Sequence, residues 1–328
     1  MPTPEIRSYR PGDEHAINDG FNRVFGKQRS IEEWAWKYQA ENPPLPIVAA
    51  WDGDQVAAHN GGIRARVQID GRRLEAVQGV DTYSLAALMR RPEWRAAWSE
   101  VMDHFAEIAV DNFSASFLYG FTGGRAVSHM VVRARWDSVE PRRIPLFVRT
   151  ERPSGRSLAS RFFTARPVAN IEPALDQLWD RVSHRYPVAV IRDADFIRHR
   201  LSGHPGVRYH RWLISPRFSS TPVAFVAFRS DDGCCRWVDL LWDDRHPGAL
   251  ELVDHLSRRL AVQTGACREE LWLDGDPETA GWLRTFGFSD SPDPSSVARV
   301  TLILDGEIPA EALASGRFYT TMADADLV

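Results

Sequence analysis

Apolar and polar residues alternate along the chain with two periods, and these predict its elements. A short strand is predicted at Glu5 to Tyr9, then a helix from about Asp13 to Phe25, with acidic residues in its first turn as the helix dipole favours. A second helix, Ile31 to about Ala40, carries Trp34, Trp36, Lys37 and Tyr38 and stops before Asn42-Pro43-Pro44. Three strands follow at Ile47 to Trp51, Gln55 to Ile69 and Arg73 to about Tyr83. The turn signals Asp52-Gly53-Asp54 and Asp70-Gly71 between them predict an antiparallel meander. Pro92 suits the first position of a helix running to Asp111 or Asn112. Ser114 to Tyr119 reads as a strand, and Gly120 to Gly124 as a turn into a helix over Arg125 to Arg133.

The same order returns after a Pro- and Arg-rich connection from Glu140 to Val168, which holds Arg142, Arg143, Arg149, Arg152, Arg156, Arg161 and Arg166. An amphipathic helix is predicted at Glu172 to Arg185, and the second half starts at Val188 with a strand at Tyr209 to Ile214. The apolar run Trp237 to Trp242 suits a buried strand. The loop Asp243 to Gly248 then turns into a helix whose apolar face is Leu250, Val253, Leu256 and Leu260, stopped by Gly265. Glu270 to Asp274 is the next strand, and a last helix ends in Gly287-Phe288. Such a crossover aims backbone N–H groups at an anion from a helix N-terminus. An internal repeat links the halves. Trp36-Lys37-Tyr38 before Asn42-Pro43 answers to His199-Arg200-Leu201 before His204-Pro205, and Val80-Asp81 answers to Val238-Asp239.

These features resemble the GNAT superfamily of acyl-CoA-dependent N-acyltransferases, in its tandem two-domain form. Arg245-x-x-Gly248 matches the first two positions of the family's pyrophosphate loop, with Leu250 at the third, and Gly287-Phe288 matches its closing dipeptide. The opening Arg10-Pro11-Gly12-Asp13, the segment Pro92-Glu93-Trp94-Arg95, the Tyr119-Gly120-Phe121 triplet and the tail from Arg317 to Asp326 resemble such proteins too. Trp98 and Glu100 stand where the first half's loop glycines belong, and Leu283 and Val131 where the family's thiolate-protonating Tyr belongs.

The resemblance implies an α/β (α+β) protein of two tandem GNAT-like domains, each a mixed, mostly antiparallel sheet flanked by helices. The boundaries are 1–140, a connection and linker helix at 141–187, and 188–328. It implies acetyl-CoA or another acyl-CoA as cofactor, bound by Arg90, Arg91 and Arg95 in the first half or by Arg245 and Gly248 in the second. Asp81, at the end of the central strand, becomes the general base or ammonium anchor. Trp36, Tyr38, His59 and Tyr119 become the substrate side.

Composition narrows the function classes. At 328 residues, 44% hydrophobic and 26% charged, the chain is an ordinary globular protein of about two domains. A net charge of -4 argues against a general nucleic-acid binder. Lys27 and Lys37 are the only lysines among 40 basic residues, which reads as GC-rich bacterial coding. Three cysteines give neither a disulfide framework nor zinc spacing, and the histidines lack ligand spacing. Asp324 and Asp326 alone make a weak metal site. The N-terminal stretch has no apolar core and no run suits a membrane span, so a cytoplasmic protein without a membrane partner is expected. No nucleophile elbow, Walker loop or dinucleotide fingerprint is present.

The reading is an acyl-CoA-dependent N-acyltransferase acting on a small amine such as an amino sugar or a natural-product intermediate. Two alternatives stand beside it. One is an aminoacyl-tRNA-dependent transferase, with the arginines of 140–168 as the tRNA landing strip. The other is a GNAT fold that has lost CoA and runs another reaction or only binds a ligand.

Overall fold

The computed structural model describes residues 4–124, 130–131, 134–151, 158–168, 173–292, 296–314 and 316–325. The first sheet runs β1 (Glu5–Ser8), β2 (Ile47–Asp52), β3 (Gln55–Ile69), β4 (Arg72–Ser84), β5 (Phe117–Thr122), β15 (Ala298–Ile303), β6 (Arg142–Arg143). On the far end of β3, β9 (Val188–Val190) adds a strand and carries β16 (Phe318–Tyr319) in turn. The second sheet runs β8 (Phe163–Pro167), β10 (His210–Pro216), β11 (Ala224–Asp231), β12 (Cys234–Trp242), β13 (Arg268–Trp272), β7 (Leu146–Arg149), β14 (Ser289–Ser291). The two orders are equivalent position by position. Both sheets are mixed and mostly antiparallel, with parallel pairing at β4–β5 and β12–β13.

The halves exchange strands. β7, early in the chain, pairs with β13 of the second sheet, while β15, late in the chain, pairs with β5 of the first. The 141–187 segment therefore does not bridge two closed sheets. It supplies β6, which pairs with β15, to one, and β7 and β8, which pair with β13 and β10, to the other, covering edges that would otherwise lie open. The predicted turn at Gly120 is also strand: β5 continues to Thr122 because Gly120 pairs with Gly79 on one side and Val300 on the other.

Helices cover both sheets: α1 (Glu14–Phe25), α2 (Ile31–Tyr38), α3 (Pro92–Phe113), α4 (Ala174–Val182), α5 (Ala194–Ile197), α6 (Pro247–Thr264) and α7 (Pro277–Thr285). Asp13 sits at the start of α1, but its carboxylate turns to Arg7, at 2.6 Å, and to the Arg10 amide. Ser30 caps α2 by accepting from the Glu33 amide at 3.0 Å. Proline opens α3 and α6, and Gly265 ends α6 with φ 70°, a left-handed stop. Trp94, Val101 and Phe105 of α3 and Leu250, Val253 and Leu256 of α6 are buried against their sheets. Each such side chain contributes about 1.5–3 kcal/mol. No helix among the described residues is long and apolar enough to cross a membrane. Most of the helix predicted at Arg125 to Arg133, and Arg152, Arg156, Glu172 and Asp326, lie outside the described residues.

Because each sheet needs a strand from the other half of the chain, the halves should not fold apart. A fragment ending at residue 187 lacks β15 and β16 and should show no cooperative thermal transition by circular dichroism. Co-expression with the remainder should restore one. A fragment that melts cooperatively by itself would contradict the exchange.

Candidate functional site

In each half the central parallel strands pair only briefly before they diverge. β4 and β5 pair from Ala76/Phe117 to Gly79/Gly120, and β12 and β13 from Cys234/Arg268 to Arg236/Glu270. Beyond those points the two splays differ. In the second, the segment from Phe318 to Ala325 fills the opening. Tyr319 donates its hydroxyl to the Leu240 carbonyl, Thr320 and Asp274 exchange backbone hydrogen bonds at 3.0 and 3.1 Å, and Thr321 Oγ1 donates to Asp239 at 2.9 Å. In the first, Val80 to Ser84 pair with β3 on one side, and the other side opens into a cavity of about 1080 Å³. Trp136 packs at the base of this splay, where a Cβ on Gly79 would enter its ring.

The cavity lies between the halves. Phe21, Phe25, Met89, Trp98, Phe121 and Trp136 make much of its apolar wall on one side, and Leu201, His204, Tyr209, Val238 and Met322 face them from the other. Arg90, Arg29, Lys37 and Glu33 add charge.

Solved structures match the fold over nearly the whole chain. A GCN5-related N-acetyltransferase from Kribbella flavida matches with a TM-score of 0.64 at 14% identity, over 92% of this chain and 72% of that one. A protein of unknown function from Enterococcus faecalis, described as a probable N-acyltransferase, matches at 0.63 and 12%, over 93% and 73%. The N-myristoyltransferase of Saccharomyces cerevisiae with bound myristoyl-CoA and inhibitors matches at 0.61 and 11%, over 92% and 80%. The chain has the tandem GNAT fold. No family model and no curated protein matches the sequence.

Within this GNAT fold, Asp81 lines the cavity but is not free to act as a base. It sits in a β-bulge at φ 52° with its side chain 2% exposed. Arg29 donates to Oδ2, Tyr38 OH donates to the same oxygen at 2.8 Å, and Lys37 Nζ donates to Oδ1 at 2.5 Å. Burial would raise its pKa, but Lys37 and Arg29 hold it well below the usual carboxylate range. The ammonium that Asp81 anchors is the protein's own Lys37, which corrects the expected role. The second half repeats the device: Arg192 Nε donates to Asp239 at 3.0 Å on the equivalent strand, and Arg192 also pairs with Asp324 of the inserted segment. Asp324, a weak metal candidate, is thus tied to an arginine.

The other expected site residues separate into two groups. Trp36 and Arg90 line the cavity. Trp36 also fastens the halves, donating Nε1 to the His199 carbonyl at 2.9 Å with its ring 4.1 Å from that of His204. Tyr38, His59 and Tyr119 do not reach the cavity. Tyr38 is buried on Asp81. His59 is fully buried against Tyr83, with Nδ1 donating to the Asp81 carbonyl at 2.9 Å, and burial lowers its pKa to about 4. Tyr119 lies in the core between Phe117, Phe121 and Phe318.

Arg91 is exposed at the N-cap of α3, and Arg95 donates to the Met89 and Arg90 carbonyls, fixing that turn. Glu100 points away from the cavity, beside His104 and Glu107. Arg245 is exposed and forks onto Asp243 at 2.8 and 2.6 Å, Gly248 and Leu250 are buried, and none of the three reaches the cavity. Of the connection's arginines, Arg142 pairs with Asp274, and Arg149 is buried on Asp254 and Glu269. Neither is presented to a polyanion. Sequence reasoning passed over Arg29 and Glu33. The Ser30-x-x-Glu33 spacing was the available signal for the second.

Asp81→Asn should cost about 3–5 kcal/mol of stability at neutral pH in urea unfolding, because it leaves two buried cations short of their partner. The folded pKa of Asp81 lies below its unfolded value of about 3.9. Its contribution is therefore full above that unfolded value and is lost as pH falls below it and through the lower folded value. The acid limb of the stability curve should be shallower in the variant than in the wild type.

Proposed function

We propose that the protein transfers an acyl group from acyl-CoA to an amine, with the thioester in the first-half splay. The observation that carries this is the contrast between the two openings. The chain's own segment occupies the second one, while the first leads into the cavity. The structural neighbours named as acyltransferases, one of them with bound myristoyl-CoA, support the same reading. The acyl-pantetheine arm would enter along the β4 edge beyond Gly79, where strand amides lack a second strand and could face the thioester carbonyl. Arg90, which lines the cavity, and the amides at the start of α3 would take the cofactor's phosphates. The cavity's second-half wall, with His204 and Tyr209, would border the acceptor, a small amine such as an amino sugar or natural-product intermediate.

Calorimetric titration with acetyl-CoA tests this reading. Arg90→Ala should weaken binding about tenfold, the loss of one charge-assisted contact, while Arg245→Ala should leave it unchanged. At about a hundred times Kd, acetyl-CoA should stabilise the wild type by about 2.7 kcal/mol. No stabilisation by millimolar acetyl-CoA would overturn the reading, and loss with Arg245→Ala alone would move the site to the second half.

A further inference from the structure

With Asp81 committed to Arg29, Lys37 and Tyr38, the described cavity wall holds one other carboxylate, Glu33. Ser30-Ile31-Glu32-Glu33 has capping-box spacing, in which the glutamate reaches back to the amide of the capping residue. Only half of that box is made. Ser30 Oγ accepts from the Glu33 amide at 3.0 Å, whereas the Glu33 carboxylate has no hydrogen bond or ion pair among the described residues. Trp36 and Lys37, three and four residues on, line the same cavity, so this face of α2 is turned towards it.

A second observation marks the same end of the cavity. Arg29, close enough to Glu33 for their charges to interact, also lines the cavity, and its buried Nη2 has no hydrogen-bond partner. A buried donor left unmet is costly. A ligand oxygen placed there would remove that cost.

We propose that Glu33 is the catalytic base for a basic primary amine that arrives as its ammonium form. This rests on the acyl-transfer reading. The Glu33 carboxylate holds the ammonium and takes one of its protons, and the freed lone pair attacks the thioester carbonyl. The N–C bond forms and the C–S bond breaks. A second N–H proton is released as the departing thiolate takes one up, so the products are an amide and free CoA thiol. Glu33 then passes its proton to solvent.

The test measures CoA thiol release from acetyl-CoA at neutral pH with two probes at high concentration: ethanolamine, an ammonium at that pH, and hydroxylamine, already a neutral amine. Glu33→Gln should slow the ethanolamine reaction about a hundredfold or more and leave the hydroxylamine rate and the acetyl-CoA affinity unchanged. Glu33→Asp should recover part of the ethanolamine rate. An unchanged ethanolamine rate, or an equal loss with both amines, would overturn the assignment while the acyl-transfer reading survives. Wild-type protein that binds acetyl-CoA but releases no thiol with either amine would overturn both.

Discussion

A pair of parallel strands that diverge partway leaves a gap whose backbone groups must be satisfied, and the protein is built around having two such gaps. Strand edges buried without partners are costly, so each splay needs an occupant or a wet cavity. The second receives the chain's own segment, with Tyr319 on the Leu240 carbonyl and Thr320 laddered to Asp274. That insertion also seats Tyr319 4.1 Å from Tyr186 and Phe318 5.6 Å from Tyr119, so the filling of one gap makes the seam between the sheets. The first gap has Trp136 at its base and the cavity beyond.

The same asymmetry explains the fate of the paired aspartates. Asp81 and Asp239 stand on equivalent strands, and each meets an arginine just ahead of the helical turns that precede the next strand, Arg29 and Arg192. A carboxylate repeated with its arginine in both halves is a fold device, tying the central strand to the helical layer. On the proposed reading, chemistry in the open half would use groups that the repeat does not consume. Glu33 and the unmet donor of Arg29 belong to that half alone, while the second half has Thr321 and Asp324 crowding the matching place.

Element order was legible from periodicity because it depends on local spacing. Strand exchange was not. Alternation states which face of Leu146–Arg149 or Ala298–Ile303 is buried, but not which strand lies beside it. The site was legible in part. Trp36 and Arg90 were expected at the cavity and reach it, whereas Asp81 drew attention as a strand-end carboxylate whose partners lie 52 and 44 residues away in sequence. Tyr119 directly precedes Gly120, which lines the cavity, yet its own ring lies in the core, and His59 is on β3, none of whose described residues lines the cavity. Arg245 and Gly248 kept a loop pattern, but Asp243, two residues before Arg245, takes up the charge that an anion would need.

The missing thiolate acid is the remaining tension in an acyl-transfer reading. Leu283 is fully buried and Val131 packs on the core beneath α3, so neither place offers a proton. An alkyl thiol has an acidity like that of cysteine, with a pKa of about 8.5, so its thiolate is a tolerable leaving group near neutral pH. The amine is the harder partner, since a basic ammonium has no lone pair until a base removes a proton. On the acyl-transfer reading, a described cavity wall with one unengaged carboxylate, and with Leu283 and Val131 at the places of the family's tyrosine, suits the step with the larger barrier and leaves the thiolate to water.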